Sequence, residues 1–201
     1  MGLAARRIAS QFSGNAQERG AIELWRMRLP AGHRDRSRCD ARKPIDNLRV
    51  TPVILGDTVI GEAREVAKVH AAIAREITDH LEPFRRAVAL ISGGECTVTF
   101  KNPKGRGGRC SEYLLSLAIE MAGSESVYGL AADTDGIDGS ESNAGAWFSP
   151  SMWAAAAERG VRADMLLAAN DAFGFFEAAG GLIHTRPTRT NVNDFRVVLI
   201  K

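Results

Sequence analysis

The chain has 201 residues, with 26 Lys and Arg against 24 Asp and Glu, and 45% of its residues are hydrophobic. This length suits one ordinary domain, and the near-average composition excludes a fully disordered chain, a collagen-like repeat and a coiled coil. The longest mostly apolar stretch, Ala144–Ala157, is interrupted by Ser149, Pro150 and Ser151. It is shorter than the roughly 20 residues that cross a bilayer, so we expect no membrane partner.

Cysteine usage indicates a reducing environment. The three cysteines, Cys39, Cys96 and Cys110, are odd in number and widely spaced, and no CxxC pair or Cys/His ligand spacing occurs. This pattern argues against a disulfide framework and a zinc site. We therefore predict a cytoplasmic location.

Charge divides the chain into two segments. Residues 1–50 carry 11 basic and 5 acidic side chains, whereas residues 51–201 carry 15 and 19. The Arg-rich run Arg26–Pro44 follows neither helix nor strand periodicity, which predicts a poorly ordered basic arm over 1–50 before an α/β domain over 51–201. An Arg-rich arm can bind nucleic acid, but acids recur in this one and Trp25 is its only aromatic neighbour, so we expect no nucleic-acid partner.

The first elements after residue 50 are a strand and an amphipathic helix. An apolar strand is predicted at Pro52–Gly56, and a helix at Gly61–Ile77. His70 lies on the apolar face of that helix, where a core histidine is a more common occurrence than a catalytic one. The residues that recur at helical spacing are Ala63, Val66, Ala67, His70, Ile73, Ala74 and Ile77.

The remaining pattern continues the alternation of strands and helices. Strands are predicted at Ala87–Ser92, Cys96–Phe100, Ser126–Ala132, Gly181–Thr185 and Phe195–Ile200, and helices at Cys110–Ala122, Ser151–Arg159 and Ala163–Glu177. This alternation predicts an α/β fold with a mostly parallel or mixed sheet flanked by helices.

A glycine- and arginine-rich loop, Lys104–Arg109, directly precedes a predicted helix. Helix N-terminal amides together with the guanidinium groups of Arg106 and Arg109 are suited to binding phosphate. The loop has neither the Walker A pattern nor a GxGxxG fingerprint, and a flexible surface hairpin is an equal alternative. Three glycines would let the backbone approach a ligand: Gly105, Gly107 and Gly108.

Two polar loops adjoin predicted strands, one after a buried strand and one before the last strand. Asp133 and Asp135 come directly after a buried strand, where their carboxylates could hold Mg²⁺ or Ca²⁺ at the carboxyl edge of the sheet. A plain Asx turn has equal weight, because Ala144 replaces the acidic residue of a calcium loop. Before the last strand, Asn191 and Asp194 could bind substrate or cap backbone groups.

Several of these segments together resemble one family. They are Leu90–Thr99, Gly105–Arg109, Ala131–Gly139, Asn143–Gly145 and Thr190–Asp194. In this order they resemble the C-terminal MOFRL domain of class II glycerate kinases, or glycerate 2-kinases, whose members are often named hydroxypyruvate reductases. The resemblance covers about residues 52–201.

The resemblance implies transfer of a phosphoryl group from ATP to D-glycerate with Mg²⁺, in a cleft between this domain and a larger N-terminal one. A counterpart of that larger domain is missing from the sequence, so we expect a truncated kinase that is inactive alone unless a separate chain supplies the missing half. Residues 1–50 would then be a misread frame, a mis-start or a true extension. The alternatives are a non-catalytic anion-binding or interaction module and, from the family's naming, a hydroxypyruvate reductase, although no dinucleotide fingerprint is present.

The resemblance also implies site residues. Arg109 would be the catalytic-site arginine, and Arg106 and the neighbouring glycines would shape the same phosphate-binding loop. We place Asn191 and Asp194 in the substrate cleft and Asp133 and Asp135 at the metal.

The helix start departs from the family pattern. Cys110 and Ser111 stand where the family has Asn and Gln. Cys110 is expected to be an ordinary helix residue, with a thiol of lowered pKa at the helix N-terminus as the alternative.

Overall fold

The computed structural model describes residues 50–189, 191 and 193–201. The predicted basic arm lies outside the described residues except for Val50. The strands are β1 Thr51–Gly56, β2 Gly61–Glu62, β3 Val88–Gly94, β4 Cys96–Thr97, β5 Val127–Asp133, β6 Gly145–Phe148, β7 Leu182–Ile183 and β8 Asp194–Ile200. The helices are α1 Ala63–His80, α2 Arg109–Glu120, α3 Pro150–Glu158, α4 Ala163–Ala168 and α5 Ala172–Ala179.

Six strands form the main sheet in the order β1-β3-β8-β5-β6-β7. Only β1 and β3 pair in parallel among these strands, and the other four pairings are antiparallel. The prediction of an α/β fold is confirmed in its mixed-sheet form. Because β3 and β5 are both antiparallel to β8, they point in the same direction, as a βαβ pattern requires, but the last strand lies between them.

Helices α1 and α2 pack against each other and against the sheet. A row of small side chains on α1, spaced by one turn, lets the two helices approach closely, and the row is fully buried. Its members are Ala63, Ala67, Ala71 and Ala74. The same face carries His70, which is 5% exposed, so its expected place in the core is confirmed.

The sheet contributes apolar side chains to both faces, as the two-residue period of a strand requires. Val198 and Ile200 of β8 join the large cluster with α1 and α2, whereas Val197 and Leu199 belong to a second cluster on the opposite face. Near-complete burial of β3, β5 and β8 makes them the rigid centre of the domain.

Several element predictions differ from the structure: Gly61–Glu62 is strand rather than helix, and the strand predicted at Gly181–Thr185 is only Leu182–Ile183. Of Cys96–Phe100, only Cys96–Thr97 is a strand, and it pairs with the short β2. The predicted helix Ala163–Glu177 is two helices, because Asn170 adopts a left-handed conformation (φ 53°) and Asp171 caps α5 through the Gly174 amide. Strand β6 had no counterpart in the predicted elements. No helix among the described residues is long and apolar enough to span a membrane.

Candidate functional site

The site lies where three central strands meet at one edge of the sheet. Gly94, at the end of β3, is opposite Asp194, the first residue of β8, and Asp133, at the end of β5, is opposite the same aspartate. This register brings Asp133 and Asp194 together. The cluster is therefore built on paired strands and held by their backbone hydrogen bonds.

Arg109, the first residue of α2, binds three carboxylates at this edge. Its Nε donates to Asp194 Oδ1 at 2.7 Å, its Nη2 to Asp133 Oδ2 at 2.7 Å and its Nη1 to Glu95 Oε1 at 3.0 Å. Asp133 and Asp194 are almost fully buried, whereas the Glu95 side chain is 58% exposed. The guanidinium is thus fixed by two buried aspartates at Nε and Nη2 and by an exposed glutamate at Nη1.

A second arginine lies beneath the first. Arg196 Nη2 donates to Asp194 Oδ2 at 2.5 Å and contacts Cys96 Sγ at 3.1 Å, and its guanidinium lies 5.4 Å from the ring centre of Tyr113. Arg196 is 1% exposed. Asp194 therefore bridges a buried arginine and the partly exposed Arg109.

The charges of the cluster set the protonation states. Burial alone would lower the pKa of Arg109, but the hydrogen bond and charge of Asp194, together with Asp133, outweigh it and raise that pKa. Burial raises the pKa of Asp133, while the Asp135 amide and Arg109 oppose the shift. Arg109 is therefore a permanent cation.

The N-terminus of α2 already holds an anion from the chain itself. The carboxylate of Asp138 accepts the amide hydrogens of Cys110 at 2.9 Å and Ser111 at 2.8 Å. Asp138 is completely buried, which raises its pKa to about 6 against the lowering effect of these hydrogen bonds. The helix-end anion site anticipated for phosphate is thus occupied by a side chain.

The glycine loop is tied down in the same way. The Gly107 amide donates to Ser140 Oγ at 3.3 Å and the Gly108 amide to Ser111 Oγ at 3.1 Å. A Cβ atom on Gly108 would lie 2.4 Å from Asp138 Oδ1, so only glycine fits there. Gly105 closes a turn with Asn102. The hydrogen bonds make the loop an ordered support for Arg109.

Arg106 belongs to a different cluster from Arg109. It lies 4.3 Å from the ring centre of Phe173 and pairs with Glu141 and Glu177, each at 3.4 Å. These partners are distinct from those of Arg109, and the side chain is 42% exposed. Arg106 is therefore a partly exposed arginine held between two carboxylates beside α5.

Asp135 and Asn191 lie in loops around the same edge. The Asp135 amide donates to Asp133 Oδ1 at 3.1 Å and its Oδ1 accepts the Ile137 amide at 2.8 Å, which is the Asx-turn arrangement considered above. Asn191 is exposed, and its Oδ1 accepts the Asn193 amide at 3.2 Å. Among the described residues no group of three or more His, Cys, Asp or Glu side chains could hold a metal ion.

Cys110 behaves as a core residue. It is fully buried, and burial raises the pKa of its thiol well above the ordinary value. The alternative of a helix-end thiol with a lowered pKa is therefore wrong, because desolvation outweighs the helix end.

Three residues of the cluster were not predicted as site residues from the sequence: Glu95, Asp138 and Arg196. Glu95 follows Gly-Gly directly after a buried strand, and Asp138 is the third aspartate of the segment Ala131–Gly139. The sequence pattern could therefore have indicated both as site residues. Arg196 had none, because an arginine in a strand is normally taken to face solvent.

Known proteins share the sequence of this domain. The MOFRL family model matches residues 88–194, a little more than half of the chain. A protein from Agrobacterium vitis named "putative hydroxypyruvate reductase" is 46% identical over 152 residues, 75% of this chain and 40% of its own length. The D-glycerate 2-kinase of Thermotoga maritima is 38% identical over 139 residues, 69% of this chain and 33% of its own length.

A solved structure shares the fold. The crystal structure of glycerate kinase from Thermotoga maritima superimposes with a TM-score of 0.75 at 34% identity, covering 80% of this chain and 39% of that one. The chain thus spans about two fifths or less of the length of these relatives. On the match of the family model and these similarities, the chain belongs to the MOFRL family.

Proposed function

We propose that this chain is the C-terminal part of a glycerate kinase, in which Arg109 stabilises the phosphoryl group passing from ATP to D-glycerate. The observation that carries the proposal is the fixed orientation of Arg109, with two buried aspartates behind it and Nη1 bonded to the exposed Glu95. A guanidinium held in this way needs no reorganisation as charge develops on phosphoryl oxygens. The names of the relatives support glycerate as the substrate.

We propose that the metal at this edge of the sheet is Mg²⁺ bound together with ATP, rather than an ion held by protein side chains alone. Mg²⁺ in phosphoryl-transfer sites commonly takes one or two carboxylates and completes its shell with phosphate oxygens and water. Asp135 is the residue that would hold it, and its chemistry is to neutralise phosphate charge. Asp133, the second predicted ligand, fits less well, because its two oxygens already accept hydrogen bonds from Arg109 and the Asp135 amide. Asn191 lies in the adjoining loop, where we propose contact with substrate hydroxyls.

The glycine loop then has a supporting role. Because the Gly107 and Gly108 amides have acceptors within the chain, we propose that Gly105, Gly107 and Gly108 orient Arg109. Phosphate binding by Arg106, which pairs with Glu141 and Glu177, stays a prediction. Direct phosphate binding by these glycines stays a prediction, as does the cytoplasmic location.

We further propose that the chain needs the remaining part of the kinase to turn over, supplied by a separate chain or by the rest of a longer protein. The test has two arms, both measuring ADP release with D-glycerate, ATP and Mg²⁺. The first uses the 201-residue chain, which we expect to be inactive. The second uses the Thermotoga kinase with its matching C-terminal region replaced by residues 51–201, which we expect to be active.

Arg109→Ala in the chimera should lower kcat at least about 100-fold, as removal of one preorganised donor does. Arg162→Ala, which removes an exposed arginine paired with Asp164, serves as the matched control. A chimera equally active with and without Arg109 would contradict the proposal.

A second candidate, reduction of hydroxypyruvate, is favoured by the name of the Agrobacterium relative. NAD(P)H oxidation with hydroxypyruvate by the same proteins separates the two. Oxidation without glycerate-dependent ADP release would favour the reductase. Phosphate binding without either activity would favour the anion-binding module.

A further inference from the structure

Arg109 presents two different sides to its carboxylates. Nε and Nη2 bind Asp194 and Asp133, which are 0% and 5% exposed and sit on paired strands. Nη1 binds Glu95, which is 58% exposed. An anion approaching from solvent therefore meets Nη1 first, and Glu95 already occupies that position.

Glu95 can leave Arg109 without moving the backbone. The preceding residue, Gly94, has φ 122° and lies so close to Val59 that a Cβ atom would be 2.3 Å from the Val59 carbonyl oxygen. The following residue, Cys96, is 2% exposed and pairs with Gly61. The backbone of Glu95 is thus fixed between two packed neighbours, while its side chain extends along the surface to Arg109.

The net charge of the cluster also indicates that Glu95 and an anion compete for Arg109. Asp133 and Asp194 balance the two guanidinium groups of Arg109 and Arg196. Glu95 then adds one negative charge beyond neutrality. A phosphoryl oxygen would have to meet that charge and would compete with it for the same donor.

We propose that Glu95 is an internal competitor for the anion-binding position of Arg109, and that a phosphoryl group binds by displacing it. This inference rests on the proposed role of Arg109. It makes Glu95 a residue that weakens the binding of weakly charged anions and selects those that bring more negative charge than a carboxylate. Displacement of Glu95 leaves the other four side chains, Arg109, Arg196, Asp133 and Asp194, in charge balance before the charge of the phosphoryl group is added.

The test is a titration of the 201-residue chain with inorganic phosphate, followed by NMR at Arg109 Nε–H and at the Glu95 carboxyl carbon. Glu95→Gln should tighten phosphate binding about three- to five-fold, the factor that corresponds to an exposed ion pair near the upper end of its range. Asp164→Asn is the matched control, since Asp164 is 60% exposed and also pairs with an arginine, Arg162. We expect it to change the affinity less than two-fold. In the unaltered chain, saturating phosphate should move the Glu95 carboxyl resonance to that of a solvated glutamate.

The possible outcomes distinguish the inferred role of Glu95 from the proposed role of Arg109. Arg109→Lys keeps the charge but loses the forked donor geometry, and it should weaken phosphate binding and remove the gain from Glu95→Gln. If Arg109→Lys weakens binding but Glu95→Gln matches the unaltered chain or the Asp164→Asn control, the inference is overturned and the role of Arg109 stands. If Arg109→Lys has no effect on phosphate in any background, both are overturned.

Discussion

Asp194 and Arg196 lie two residues apart on the same face of β8, and their side chains join at 2.5 Å inside the domain, where neither is more than 2% exposed. A buried ion pair is costly to form and costly to break, because removal of one partner leaves the other as an uncompensated charge. The pair therefore decides how firmly Asp194 is held for Arg109.

Removal of the buried guanidinium should destabilise the domain. Arg196→Met keeps much of the side-chain volume but leaves Asp194 with Arg109 as its remaining cation, and we expect a loss of about 3 kcal/mol in the free energy of unfolding. Urea denaturation at pH 7 measures it. Arg162→Met, at an exposed pair with Asp164, should cost far less than that. Equal losses in the two variants would mean that Arg196 contributes no more than a surface charge.

Asp138 should make the fold less stable as the pH rises through the mildly acidic range. Its pKa is raised from 3.8 to about 6, so the folded state holds the proton more tightly than the unfolded state does. The stabilisation is present below pH 4 and is lost as the pH rises to about 6. Asp138→Asn does not titrate, so the stability of the unaltered chain relative to this variant should fall by about 2 kcal/mol between pH 4.5 and 7. A constant difference would contradict the raised pKa.

His70 should have the opposite effect and make the fold more stable as the pH rises. Burial, with a smaller effect of Arg196, lowers its pKa from 6.5 to about 4, so the unfolded state binds the proton more tightly. Stability from the neutral ring is present above pH 6.5 and is lost as the pH falls toward 4. The stability of the unaltered chain relative to His70→Gln should therefore rise by about 2 kcal/mol between pH 4.5 and 7. NMR titration of the His70 ring carbons measures the pKa directly, and an ordinary value near 6.5 would refute this account.

Gly108→Ala should disrupt the N-terminus of α2 through a steric clash with Asp138. The new methyl group would lie 2.4 Å from Asp138 Oδ1 and 2.5 Å from its backbone carbon, so the loops must separate, and we expect a cost of about 3 kcal/mol or more. Gly160→Ala is the comparison, because its φ of 75° strains the backbone in open space and should cost about 1 kcal/mol. Thermal denaturation distinguishes the two, and similar losses would mean that the Gly108 loop adapts easily.

Local patterns were sufficient to predict much of the fold. The apolar run of β3, the amphipathic periodicity of α1 and the position of Asp133 after a buried strand follow from neighbouring residues. Pairings over long separations were beyond those patterns: β8 enters between β3 and β5, and Asp138 caps a helix that begins 29 residues earlier. Glu95 reaches Arg109 only because β3 and α2 end and begin at the same edge of the sheet.

The central position of β8 has a consequence for folding. Gly94 pairs with Asp194 across 100 residues of chain, so closing the sheet requires a long loop to form before its contacts are gained. Until β8 docks, β3 and β5 each present an unpaired, apolar edge, and the aspartate that orients Arg109 is elsewhere. A nascent chain therefore passes through an aggregation-prone stage in which most of the core sequence has been synthesised while the candidate site has not yet formed.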